Sequence, residues 1–165
     1  MANNSKTFSF DKFATSLDEL KATVKSNLTD PFEVAALSVM AFCNYEKDVD
    51  STVAMVNYLK GPQELSAMDL SFIKERLVGK FYVPRSFFQG TSPENNYQPS
   101  SPLTITVSDN PYSYGEENYV TLYLKSSGAD SERPIKLRKK GDQWFLWQFS
   151  FLADIRKPAA EDPWA

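Results

Sequence analysis

The sequence contains no histidine and only one cysteine, Cys43, among its 165 residues. Histidine is the commonest metal ligand and the side chain used most often for proton transfer near neutral pH. A lone cysteine cannot build a multi-thiolate metal site or an internal disulfide. These absences exclude zinc-finger, iron–sulfur and disulfide-scaffold proteins and most familiar catalytic constellations. We therefore predict no metal and no cofactor, and we identify no catalytic residue.

The sequence also lacks long apolar runs and a surplus of charge of either sign. No stretch approaches the roughly 18 apolar residues of a membrane-spanning helix, and residues 1–6 lack the apolar segment of a secretory signal. The 18 basic residues stand against 21 acidic ones, which gives a net charge of −3. A polyanion partner would favour a basic surplus. We expect a cytoplasmic protein with no membrane association, and the charge balance argues against nucleic acid.

Helical signals fill the first half of the chain, from about residue 11 to residue 80. Ser16, Asp30 and Ser66 have the sequence context of helix N-caps, and Pro31 stands at a first helical position. The Gly61–Pro62 pair is a typical stop signal. These signals and the spacing of apolar residues predict four helices, of which the second, running to about residue 46, is the most buried.

From residue 81 onward, alternating and β-rich segments replace helical spacing. They predict strands at residues 103–108, 118–125, 134–139 and 143–151, and the short connections between them favour antiparallel pairing. The predicted fold class is α+β: about four helices pack on one face of a C-terminal antiparallel sheet of about four strands. Residues 1–165 are treated as a single domain, with a β part at about 81–152 and a tail at 153–165.

The strands predict one aliphatic face and one polar face. In the second strand, for example, Val120 and Leu122 alternate with Tyr119 and Tyr123. The last strand departs from this pattern, because apolar side chains occur on both of its predicted faces: Trp144 and Leu146 on one, and Phe145, Trp147, Phe149 and Phe151 on the other. We expect a further layer over the second face, formed by a loop, the tail, a partner subunit or a ligand. Docking of Trp164 over Phe149 and Phe151 would provide one; the alternative is that this tail tryptophan is a further candidate for binding a ligand or partner.

Two groups of residues are candidates for binding a ligand or partner. The loop at residues 89–102 contains Glu94, Asn95, Asn96 and Tyr97, which offer a carboxylate, two amides and a phenol to a polar ligand. The alternative is that these side chains satisfy the turns of the loop itself.

The second group lies on the polar sheet face. Arg133 and Arg138 belong to a basic segment that Tyr119 and Tyr123 would accompany, as a platform for single-stranded nucleic acid or carbohydrate. The competing interpretation is a solvated face whose charges prevent edge pairing. Trp147 is predicted on the same face.

Short motifs in the second half are specific in combination. They are SFFQGTSPENNY at 86–97, SGADSERP at 127–134, LR at 137–138, DQW at 142–144, IR at 155–156 and DPWA at 162–165. Together they resemble a family of functionally uncharacterised bacterial proteins, a resemblance that implies no activity. A looser similarity is to cystatin-like folds of the nuclear transport factor 2 type, in which helices pack on a curved antiparallel sheet. The chain departs from that pattern by placing four helices before the first predicted strand.

Two hypotheses of function follow. The first is a non-catalytic interaction module that uses the polar sheet face and the 89–102 loop to bind a protein partner or a second copy of itself. The alternative is a small-ligand-binding protein, or a histidine-independent enzyme, with a pocket between helices and sheet. Such an enzyme would rely on groups such as Asp109, or Glu94 paired with Tyr97. A small polar ligand fits either hypothesis.

Overall fold

A computed structural model describes residues 4–164 of the chain. Residues 1–3 and Ala165, which include the start of the segment considered for a secretory signal and the end of the 162–165 motif, lie outside them. The elements in chain order are β1 (Ser5–Phe10), α1 (Leu17–Thr23), α2 (Pro31–Phe42), α3 (Val49–Lys60), α4 (Ala67–Leu77), α5 (Tyr82–Arg85), β2 (Leu103–Ser108), β3 (Tyr119–Leu124), β4 (Arg133–Lys140) and β5 (Gln143–Gln148). Short 3-10 turns occupy Pro93–Asn95 and Ala159–Glu161. The α+β class is confirmed.

The helix starts follow from side-chain caps. Ser16, Asp30, Asp48 and Ser66 each accept a hydrogen bond from a backbone N–H in the first turn of α1, α2, α3 and α4. Helix α2 ends at Phe42, earlier than predicted, because the following residues tighten into turns with N–H groups bonded three residues back. The short α5 was not predicted.

The five strands lie in the order β1-β2-β3-β4-β5, and all neighbours are antiparallel. Eleven of the twelve residues of α2 are buried, and this helix contacts every strand. The inward side chains that meet the helices form the core and are nearly all fully buried: Ile105, Val107, Val120, Leu122, Leu124, Ile135, Leu137 and Leu146. The helices therefore cover one face of the sheet, as predicted.

Strand β1 was not predicted. It pairs with β2 over its whole length, from Ser5 opposite Ser108 to Phe10 opposite Leu103. Only Phe8 and Phe10 give this segment an apolar alternation, and its hydroxyl side chains pair across the strands instead, with the Thr7 and Thr106 oxygens 2.8 Å apart. The prediction of about four strands is therefore right to within one strand, but their order differs, because β1 precedes the helices.

Strands β2 and β3 separate along most of their length, because they share only two residue pairs, Val107 with Leu124 and Ser108 with Tyr123. The segment 86–91 fills the gap beyond these pairs. The N–H of Gln89 donates to the Thr104 carbonyl, and the N–H of Ser127 donates to the Ser86 carbonyl, both at 2.8 Å. A loop segment thus replaces ladder hydrogen bonds at this point.

The last strand was predicted to have apolar side chains on both faces and to need a further layer. The structure corrects this prediction for Phe149 and Phe151. The strand ends at Gln148, and a register shift opposite Lys136 and Leu137 leaves Trp147 as an extra residue, a β-bulge. Beyond the bulge, Phe149 and Phe151 turn into the core, where their rings lie 5.7 and 5.9 Å from the ring of Phe42. These two rings therefore need no additional layer. Trp164 is 93% exposed and does not dock over them.

Candidate functional site

The sheet face opposite the helices, here called the open face, carries polar and aromatic side chains. These outward residues are partly exposed or fully exposed, whereas their inward neighbours are buried. The set comprises Thr7, Thr104, Thr106, Tyr119, Thr121, Tyr123, Lys136, Arg138 and Trp147. Because β-strand side chains alternate between faces, a strand can pack against the helices and still present these groups outward.

Four side chains on the open face form a compact group, here called the aromatic–cation cluster: Tyr119, Lys136, Arg138 and Trp147. The rings of Tyr119 and Trp147 meet edge to face with centroids 5.8 Å apart. The Arg138 guanidinium lies 4.7 Å from the Trp147 ring and 5.4 Å from the Tyr119 ring. Such cation–π contacts hold the guanidinium in place without neutralising its charge.

The fourth member, Lys136, is held in two ways. Its Nζ lies 4.8 Å from the Tyr119 ring and 3.3 Å from a carboxylate oxygen of Glu116. The cluster is therefore ordered by its own contacts, and Arg138 is its free charge: among residues 4–164 no carboxylate pairs with it.

Tyr123 lies on the same face but outside the aromatic–cation cluster, in a depression of about 360 Å³. This depression lies where β2 and β3 separate, and Gln89, Thr106, Lys125 and Glu132 also line it. The structure therefore separates the two tyrosines that the sequence predicted as one platform.

The predicted binding loop uses its polar groups internally. The Asn95 amide donates to the carbonyls of Gly90 and Gln98 and accepts from the N–H groups of Ser92 and Gln98. Asn96 takes the left-handed conformation that asparagine tolerates, with φ of 59°. Glu94 is exposed at the surface. This geometry favours the alternative in which the loop satisfies its own turns.

Tyr97 anchors the same loop to the C-terminal segment. Its side chain is fully buried, its ring stacks on Tyr82, and its hydroxyl donates to the Arg156 carbonyl at 2.6 Å. Burial raises the pKa of Tyr97 to about 12. Gly128 is required here, because a Cβ at this position would lie 2.7 Å from Cγ2 of Ile155.

Arg133 also acts within the fold. Its guanidinium donates to the carbonyls of Ala153 and Asp154, at 3.3 and 3.1 Å, and so holds the chain that follows β5. Trp164 makes almost no contact with the rest of the protein. Of the predicted site residues, the structure brings together Tyr119, Arg138 and Trp147.

Asp109, one of the groups considered for histidine-independent catalysis, is used within the fold. Asp109 accepts hydrogen bonds from the Tyr114 hydroxyl at 2.6 Å and from the backbone and side chain of Asn4. These donors outweigh the effect of burial and lower the pKa of Asp109, while burial and the same contact raise the pKa of Tyr114 to about 12. Asp109 thus has a role in joining the start of the chain to the end of β2.

A cleft lies between the end of α3 and the β4–β5 hairpin, where the alternative hypothesis expects a pocket between helices and sheet; of its lining residues, the sequence analysis named Arg138 and Trp147 as site candidates but not Lys60. Its volume is about 420 Å³, and its lining residues are Lys60, Pro62, Gln63, Arg138, Lys139, Lys140, Phe145, Leu146 and Trp147. A lysine in the last turn of a helix is common, because it complements the helix dipole. The sequence therefore provided no reason to name Lys60 as a candidate site residue.

In the described part of the chain, neither metal binding nor a membrane span has structural support. Within residues 4–164 no group of three acidic, cysteine or histidine side chains could hold a metal ion. No helix in that range combines the length and the apolar character needed to cross a bilayer.

The fold and the site define a two-layer α+β protein with one sheet face open to solvent and an ordered aromatic–cation cluster on it. Residues 12–159 match the family described as a domain of unknown function, DUF6935, and the chain belongs to this family. No curated protein and no solved structure matches the chain. The predicted membership of an uncharacterised family is confirmed, whereas the bacterial origin and the similarity to nuclear transport factor 2 stay predictions.

Proposed function

We propose that this protein is a non-catalytic binding module whose open face recognises an acidic segment of a partner protein. The observation that carries the proposal is the aromatic–cation cluster. Tryptophan, tyrosine and arginine are the side chains that most often dominate the energy of protein interfaces. In this cluster they are in contact with one another before any partner arrives.

The order within the cluster supports binding because less conformational entropy is lost on association. Arg138 lies over two rings, so its guanidinium has less freedom to lose than that of an isolated surface arginine. An edge-to-face aromatic pair likewise offers a large, rigid contact area.

The charge of the cluster favours an acidic partner over a second copy of the chain. A symmetric dimer formed through the open face would place each patch against itself. With the two-fold axis near the cluster, Lys136 and Arg138 would approach their own counterparts, and like charges across an interface are unfavourable. Glu116 beside Lys136 and the net charge of −3 argue against nucleic acid, whose regularly spaced charge needs an extended basic surface, whereas a short acidic segment needs only the local charge of Arg138. A cytoplasmic location, which the sequence predicts, belongs to the same proposal.

The test uses a random copolymer of glutamate and tyrosine as the probe, with a copolymer of lysine and tyrosine as its control. We expect the wild-type protein to bind the acidic copolymer in a salt-sensitive manner and to ignore the basic one. Arg138→Glu should weaken binding roughly tenfold, since a charge contact at an interface is worth about 1.4 kcal/mol or more. Lys74→Glu, on an exposed position of α4, makes the same charge change elsewhere and should have no effect.

Three results would contradict the proposal. They are absence of binding to the acidic copolymer, equal weakening by both charge reversals, and tighter binding of single-stranded oligothymidine than of the copolymer. Sedimentation velocity of the protein alone completes the test. If the wild type forms an oligomer and Arg138→Glu dissociates it, the open face binds a second copy of the chain, and the proposal of an acidic partner is wrong.

A further inference from the structure

The cleft beside α3 combines positive charge with apolar walls. Lys60, Arg138, Lys139 and Lys140 supply the charge, and Phe145, Leu146 and Trp147 supply the apolar surface. No carboxylate lines the cleft within the part of the chain that the structure describes. Its volume of about 420 Å³ lies in the range of sites for small molecules, roughly 300–1,000 Å³.

Lys60 is the unusual member of this group, because it is only 5% exposed. Within residues 4–164 its ammonium group has neither an ion pair nor a side-chain hydrogen bond, and it lies 5.7 Å from the Phe149 ring. Asp69 acts on it from a distance, but that carboxylate already accepts the Ser66 N–H at the start of α4, at 3.0 Å. Holding an ammonium group on a largely buried side chain without an ion pair is costly.

The electrostatic environment of Lys60 agrees with the geometry. Burial lowers the pKa of this ammonium group, and the attraction of Asp69 offsets only part of the effect. An anion in the cleft would supply the missing counter-charge.

The other three cations also lack ion pairs within the described residues. Arg138 lies over Trp147, and the Lys139 Nζ lies 5.9 Å from the ring of Trp144. Lysines on a β-hairpin can protect a sheet edge from pairing with another chain. That explanation covers Lys139 and Lys140, but it does not cover Lys60, which is buried at the end of a helix.

We propose that this cleft binds a small organic anion. The acidic group, a carboxylate or a phosphate ester, pairs with Lys60 and the hairpin cations. The apolar or aromatic part of the ligand contacts Phe145 and Trp147. The proposal goes beyond partner binding at the open face, and Lys60 belongs to the cleft alone.

Isothermal titration calorimetry at constant ionic strength tests the proposal with four probes: phenyl phosphate, benzoate, inorganic phosphate and benzyl alcohol. We expect saturable binding of one molecule of phenyl phosphate, benzoate or both, with weaker binding of inorganic phosphate and none of the neutral alcohol. The preference between the first two probes distinguishes a phosphate ester from a carboxylate.

Three variants test whether the anion binds in the cleft. Lys60→Met keeps most of the apolar stem and removes the charge, and it should reduce affinity about tenfold or more, as the loss of a charge-assisted contact does. Lys140→Gln, on the exposed rim, should reduce affinity by a smaller factor without any effect on folding. Lys74→Met, at an exposed position that does not line the cleft, should bind as the wild type does.

The proposal is overturned if the wild type binds none of the anions, if benzyl alcohol binds as well as the tighter of the two aromatic anions, or if Lys60→Met and Lys74→Met bind that anion equally. Failure of the two proposals can be told apart, because Lys60→Met should retain full binding of the acidic copolymer.

Discussion

The two faces of the sheet differ although the same strands form both. In β3, Val120, Leu122 and Leu124 are fully buried against the helices, whereas Tyr119 and Tyr123 are only partly buried on the other side. The helix-facing residues hold the fold together through apolar burial. The outward residues do not form part of this core. Their positions can therefore hold cationic and aromatic side chains without loss of core packing.

The largest expected effect comes from shortening a side chain on the helix-facing side. Leu122→Ala should lower the free energy of unfolding by about 2–5 kcal/mol, because it removes buried surface and leaves a cavity. Thr121→Ala, the adjacent outward position, should change it by less than about 1 kcal/mol. Urea unfolding of the two variants measures the difference, and similar losses would mean that both faces are packed.

A smaller effect is expected at Tyr97, which sequence analysis placed among the binding residues and the structure places in the interior. Tyr97→Phe removes the hydrogen bond to the Arg156 carbonyl and should cost about 1 kcal/mol of unfolding free energy. Copolymer binding should not change. If a folded Tyr97→Phe protein bound the copolymer less tightly, the 89–102 loop would have to be counted as part of the binding surface.

The pH dependence of the same variant sharpens the assignment. The folded-state pKa of Tyr97 is raised to about 12, above the ordinary value near 10. Its contribution to stability is therefore fully present below about pH 10 and is lost as the pH rises through about 12. The stability advantage of wild type over Tyr97→Phe should shrink between about pH 9 and pH 11.5 in urea unfolding. A constant difference across this interval would show that Tyr97 ionises as freely in the folded protein as in the unfolded chain.

The smallest expected change in stability is at Lys60. Lys60→Met should leave the free energy of unfolding unchanged or raise it by up to about 1 kcal/mol, because a charge on a largely buried side chain, without an ion pair, is replaced by an apolar group. Thermal unfolding measures this change. A clear loss of stability would indicate that Lys60 supports the fold and would weaken its assignment to a ligand site.

Strand alternation accounts for what could be predicted of the fold. The segments that became β2, β3 and β4 alternate regularly, and each was predicted within a residue or so of its observed ends. Strand β1 has only two apolar residues and depends on its partner β2, so its own sequence carried little signal. The end of β5 depends on a bulge at Trp147, and a local pattern does not reveal a register shift between two strands.

The candidate site was predictable to the same degree. Alternation predicted that Tyr119, Arg138 and Trp147 share a face, but their mutual contacts depend on strand pairing and on the bulge. The loop from Ser92 to Tyr97 has the composition of a ligand site and of a tight turn alike, and only the hydrogen-bond partners distinguish them. Lys60 is an ordinary residue in sequence, and its burial arises from the packing of α3 against β5.

The affinity of the glutamate–tyrosine copolymer for three proteins tests the central claim most directly. We predict salt-sensitive binding by the wild type, equal binding by Lys74→Glu, and roughly tenfold weaker binding by Arg138→Glu. Equal affinities of the two charge-reversed variants would contradict the claim that the open face is the binding surface.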